Sequence, residues 1–123
     1  MQIIISNSSK EPIYEQITNQ VKSLIFAGDL QEGTAIPSMR KLAKDLQISV
    51  ITTKRAYEEL EKAGFIYSIV GKGSFIAEQN LEIMREKKLR VVEEQLNAVI
   101  TNGREIGLSL DELQQLLKIL YEE

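Results

Sequence analysis

Between Ser38 and Arg55 the chain places Arg40, Lys41, Lys44, Lys54 and Arg55 against one acid, Asp45. A surplus of four positive charges within eighteen residues acts locally, because salt screens anything beyond about 10 Å at 0.1 M. Hydroxyls interleave with the cations: Ser38, Ser49, Thr52 and Thr53. Such groups donate to or accept from phosphates and base edges, and Lys and Arg pair with phosphate or guanine. Val50 and Ile51 offer no hydrogen bond, so their contact with a base is apolar, as with a thymine methyl. The chemistry this stretch can perform is anion and base recognition.

Catalysis has no comparable support. The 123 residues contain no His and no Cys. That removes the commonest general base and metal ligand, any thiolate nucleophile, and any disulfide framework. Glu58, Glu59 and Glu61 cluster, but no other ligand or proton-transfer group accompanies them, and they read as a solvated helix face. The expectation is a non-enzyme with no metal and no cofactor.

The recognition residues need elements to hold them. Ile13, Ile17, Val21, Leu24 and Ile25 repeat at helical spacing after Pro12, and Gly28 stops that helix. The stretch from Gly28 to Pro37, with two glycines and a proline, reads as a loop. Ser38 caps a short second helix with Leu42, Ala43 and Leu46 inward. Gln47-Ile48 is a turn. Ser49 caps a third helix through about Ala63, with Ala56, Tyr57, Leu60 and Ala63 inward and Gly64 at its end. The period then changes to two over Phe65–Val70 and Ser74–Ala77, with Gly71-Lys72-Gly73 as the hairpin turn. Helical spacing returns in Leu81, Met84, Leu89, Val92, Leu96 and Val99, and Gly103 and Gly107 bracket a turn. Ser109 and Glu112 form a capping box for a last helix with Leu110, Leu113, Leu116, Leu117 and Leu120.

Two short helices joined by a tight turn, the second opening on hydroxyl residues, form a helix-turn-helix signature, and a β-hairpin after it makes a winged helix. A major groove about 12 Å wide admits one helix, whose first turns reach base edges. The fold class is therefore mainly α with a small β-hairpin. A winged helix-turn-helix over residues 1–78 (helix-turn-helix about 38–57, wing about 65–77) precedes a two-helix segment over 79–123.

These pieces resemble the winged-helix domain of the GntR family of bacterial transcription regulators. The resemblance rests on Pro12-Ile13-Tyr14-Glu15-Gln16-Ile17, Gly28-Asp29-Leu30 with Gly33, Ile36-Pro37-Ser38-Met39-Arg40-Lys41-Leu42-Ala43, Ala56 to Ile66, and Gly71-Lys72-Gly73-Ser74-Phe75-Ile76. It covers about residues 10–77. Carried over by position, it implies DNA contacts at Arg40, Ser49, Val50, Thr52 and Lys54, and at Gly71 and Lys72 of the wing. Val50 departs from the family pattern, in which many members have a polar or basic base-reading residue. The short remainder after the wing resembles the YtrA subfamily, whose helical C-terminus serves dimerisation. The residues agree, since two Leu- and Val-rich helices cannot bury both stripes in each other and on one small domain.

Net charge is −3, but it is uneven: residues 1–78 balance nine bases against nine acids, and residues 79–123 hold six against nine. An overall acidic protein with one basic face remains suited to double-stranded DNA. The longest N-terminal apolar run, Ile3-Ile4-Ile5, is far short of a signal peptide or membrane span. The expectation is a cytoplasmic, homodimeric, sequence-specific repressor with no membrane association. The competing class is a winged helix that binds protein and not DNA, which an acidic or apolar recognition helix would favour. An unidentified small-molecule effector between the tail helices stays open.

Overall fold

The computed structural model describes residues 1–123. Five helices and three strands follow the order α1 (Ile13–Phe26), β1 (Ala35–Ile36), α2 (Met39–Leu46), α3 (Val50–Lys62), β2 (Ile66–Ile69), β3 (Gly73–Ile76), α4 (Leu81–Glu105) and α5 (Leu110–Tyr121). They fall into two compact units, Met1–Gln79 and Asn80–Glu123.

The first unit encloses a core. Ile17, Val21 and Ile25 of α1 are buried together with Leu42 of α2 and Ala56, Tyr57 and Leu60 of α3. Ile36, Ile66 and Ile76 close the core from the sheet. Ala63, expected inward, is exposed instead. It lies past the end of α3 as its C-cap, so the helical periodicity that would turn it inward has stopped.

The sheet has three strands where the sequence predicts a hairpin. Its order is β1-β3-β2, all antiparallel, with Ala35 opposite Phe75 and Ile36 opposite Ser74. β1 occupies two residues of the expected loop, too few to show a period. Burial of Ile36 and the free edge of β3 recruit it. In the hairpin, Ser68 pairs with Ser74 and Tyr67 with Phe75. The two hydroxyls lie 2.9 Å apart, and the two rings stack with centroids 5.6 Å apart. Such cross-strand pairs stiffen the wing.

An N-terminal arm also joins this unit. The Ile4 N–H donates to Gln20 Oε1 at 2.8 Å, and Gln20 Nε2 donates back to the Ile4 carbonyl at 2.6 Å. Gln16, one helical turn earlier, grips Ser6 the same way, with bonds of 2.8 and 3.0 Å. Ile3 is thereby held in the core. Apolar periodicity carries no trace of this arrangement, because its partners are amide side chains.

The second unit is two helices. Asn80 caps α4 and Ser109 caps α5, the latter through the full capping box. Gly103 does not start a turn; α4 runs through it to Glu105. A Cβ at Gly103 would stand 3.2 Å from a Leu113 methyl, so the bare backbone there is what lets α5 approach α4. Apart from Gly103, no residue of this unit is buried. No helix of the molecule is long and apolar enough to cross a membrane.

Candidate nucleic-acid interface

The interface is built from the turn outward. α2 ends in a paired C-terminal motif: Ile48 N–H donates to the Ala43 carbonyl at 3.0 Å, and Gln47 N–H to Lys44 at 3.2 Å. This requires φ of +54° at Gln47, a left-handed conformation that costs a non-glycine residue about 1 kcal/mol. The chain then turns directly into Ser49, whose Oγ accepts from the Thr52 N–H at 3.1 Å. Ser38 caps α2 in the same way through Lys41 N–H.

Two residues lock α3 in place. Thr53 is fully buried, and its hydroxyl donates to the Ser49 carbonyl at 3.2 Å. Tyr57 is buried one turn later and donates 2.6 Å to the Pro37 carbonyl. That bond ties α3 to the chain entering α2, directly before Ser38. Burial pushes the Tyr57 phenol far above its ordinary range, so it remains a donor at any working pH.

With Thr53, Ala56, Tyr57 and Leu60 inward, helical geometry turns Val50, Ile51, Lys54 and Arg55 outward. Ile51 is 82% exposed and Val50 46% exposed. An isoleucine this exposed at the mouth of a helix has no partner in its own unit. Thr52 lies at the flank, half-buried, with its hydroxyl 2.8 Å from that of Ser49. Ser49 thus caps α3, and Val50, Thr52 and Lys54 lie in its first two turns. Arg40 is exposed on the first turn of α2. Gly71 and Lys72 sit at the wing tip, with φ of +78° at Gly71 and the Lys72 N–H donating to Ile69. Val70 beside them is fully exposed.

The cations differ in how they are held. Lys41 lies 2.9 Å from Asp45 and Lys54 lies 3.8 Å from Glu58, both exposed pairs one turn apart that water and salt screen heavily. The Arg55 guanidinium carbon lies 3.8 Å from the centre of the Tyr14 ring. Among the singled-out residues Thr53 faces the core, so its hydroxyl is unavailable to DNA.

The exposed caps Ser38 and Ser49, the hydroxyls and cations on α2 and α3, and a glycine-rich wing define a winged helix-turn-helix regulator. Residues 13–76 match the sequence profile of the bacterial regulatory proteins of the gntR family. The chain belongs to that family. It is 35% identical over 116 residues to the HTH-type transcriptional repressor YtrA of Bacillus subtilis, spanning 94% of this chain and 89% of that protein. The solved structure of YtrA from Sulfolobus acidocaldarius, a GntR-family transcription factor, superposes with a TM-score of 0.64 at 34% identity, over 78% of this chain and 97% of that one. The structure of AraR(DBD) in complex with operator ORX1 gives a TM-score of 0.55 at 25% identity, over 63% of this chain and 96% of that one.

Proposed function

We propose that this protein is a cytoplasmic transcription repressor that binds a two-fold DNA operator as a homodimer. Residues 1–78 form the DNA-binding domain and residues 79–123 the dimerisation segment. The observation that carries the reading is the start of α3: locked from behind by Thr53 and Tyr57, it leaves its cap Ser49 and Val50, Ile51 and Lys54 exposed, with Thr52 half-buried at the flank. Arg40 and Lys54 contact phosphate or guanine, Ser49 and Thr52 supply polar contacts, and Gly71 and Lys72 enter the neighbouring minor groove. The likeness to the Bacillus repressor YtrA and to AraR(DBD) in its operator complex supports this assignment. The chemistry is binding, and no catalytic step is assigned to the chain.

The dimer follows from the tail. Leu89, Val92, Leu96 and Val99 of α4 and Leu116, Leu117 and Leu120 of α5 remain exposed. A second copy covers them and sets two recognition helices against a two-fold site. Cytoplasmic location follows from the need to reach chromosomal DNA.

The test uses duplex DNA selected by the wild-type protein from a random-sequence pool. Arg40→Ala and Lys54→Ala should each weaken binding with the fold intact. A lost phosphate contact in each of two protomers should flatten the slope of log K against log salt by roughly two, at about 0.9 per phosphate. If the wild-type protein enriches no sequence, or both variants keep wild-type affinity and slope, the reading fails.

A further inference from the structure

Arg55 is the cation of the basic face that lies over an aromatic ring. Lys41 and Lys54 each have a carboxylate four residues along their own helix. The Arg55 side chain has no carboxylate within ion-pair distance and makes no hydrogen bond. Its guanidinium carbon instead lies 3.8 Å from the centre of the Tyr14 ring, on the first turn of α1. Glu15, next along α1, accepts from the Tyr14 hydroxyl at 3.2 Å and is not bonded to Arg55.

This arrangement has consequences for donor geometry. A guanidinium stacked on an aromatic ring is held by the ring's negative face, while its N–H groups stay at the rim. A long side chain ordinarily loses rotamer freedom when it binds, and here much of that ordering precedes binding. Arg55 is exposed and lies one turn after Ile51, on the side of α3 away from Thr53, Ala56, Tyr57 and Leu60. The stack draws it off the axis of α3 toward α1. A side chain drawn to the flank of a recognition helix meets the groove wall, which is sugar and phosphate, rather than the base edges on its floor.

We propose that Arg55 is a phosphate-binding residue of the DNA complex and that Tyr14 is the residue that positions it. The inference rests on the DNA-binding reading above. It adds a contact from α1's side of the domain to those of α2, α3 and the wing. Tyr14 touches no DNA in this scheme; it acts by holding the arginine.

The experiment measures affinity for the wild-type-selected duplex at several salt concentrations, with thermal melting of each variant. Arg55→Ala should lose about ten-fold or more in affinity, as expected for a hydrogen bond to a charged group. Its salt slope should flatten by roughly two for a dimer. Arg55→Lys keeps the charge and should keep the slope while losing part of the affinity. Tyr14→Leu should weaken binding several-fold at an unchanged slope, and Tyr14→Phe should match wild type. The losses should be uniform across operator variants, since a phosphate contact carries no base preference. Wild-type affinity and slope in Arg55→Ala would overturn the inference, as would a melting-temperature drop with unchanged binding. A loss confined to one base-pair position would also overturn it, making Arg55 a base reader. A wild-type protein that selects no DNA removes the underlying reading instead, so the two failures are distinct.

Discussion

The two units of this chain handle apolar surface in opposite ways. In residues 1–79 Ile17, Val21, Ala56, Tyr57, Leu60 and Ile76 are sealed inside, and every buried side-chain polar atom has a partner. In residues 80–123 fifteen large apolar residues remain exposed, from Leu81 to Tyr121. One unit has the core of an independent domain. The other leaves open the kind of surface a core would bury, although helices of this kind gain most of their stability from packing. Stability of the first unit should be a property of the chain, and order in the second a property of chain concentration.

The largest effect should come from breaking the second unit's surface. Leu96→Asp with Leu117→Asp should convert a species of about twice 13.9 kDa into one of 13.9 kDa in sedimentation at micromolar concentration. Operator affinity should fall by two orders of magnitude or more, as each half-site is then bound alone. The first unit's melting should persist. A double variant that still sediments as a dimer would show that the tail is not the interface.

A core substitution should act the other way. Leu60→Ala, at a fully buried site, should cost about 2–5 kcal/mol of unfolding free energy. Leu120→Ala, in the exposed tail, should leave monomer stability almost unchanged and shift only the dimer's concentration dependence. Equal losses in denaturant titrations of monomeric protein would erase the contrast between the units.

A smaller effect probes an apolar surface that the first unit leaves open at the start of α3, Val50 and Ile51. Replacing thymine by uracil in the half-sites should cost on the order of 1 kcal/mol, about the value of one buried methyl group. Ile51→Ala should remove that sensitivity more completely than Val50→Ala, because Ile51 is the more exposed of the two. Insensitivity of the wild-type protein to uracil throughout both half-sites would shift readout to Arg40, the wing or DNA shape.

The smallest effect lies at the start of α5. The backbone and hydroxyl of Ser109 hold the Glu112 carboxyl below its ordinary pKa. A carboxyl lowered by folding adds stability above its unfolded pKa, and that stability is lost as pH falls through the folded value. Helicity of α5 should therefore weaken in acid below the ordinary carboxylate range, and Glu112→Gln should abolish that dependence. Circular dichroism of wild type and variant with identical acid profiles would exclude the cap as the cause.

Much of this arrangement is legible in the residues because several local signals coincide. Ser38, Ser49 and Ser109 each cap the helix assigned to them, and Gly71 turns the hairpin where glycine is required. What escapes reading is whatever depends on partners distant in sequence. β1 exists because β3 offers it an edge, and the glycine inside α4 at position 103 leaves the space that Leu113 fills. The turn at Gln47-Ile48 is read correctly from its length, but the left-handed conformation of Gln47, which glycine usually marks, is not signalled by its residue type. The basic stretch is visible at once, but the stack that separates Arg55 from Lys41 and Lys54 joins residues 41 positions apart.

The glutamine-held arm has a consequence for solution measurements. Gln16 and Gln20 bond the backbone at Ile4 and Ser6 and skip Ile5 between them. Deuterium uptake along the arm should therefore alternate, slow at the amides of Ile4 and Ser6 and fast at Ile5. Both clasps are made of uncharged amides, so ionic strength has no lever on them. Salt that releases the protein from a polyanion should leave this alternating pattern untouched, an internal reference that reports folding alone.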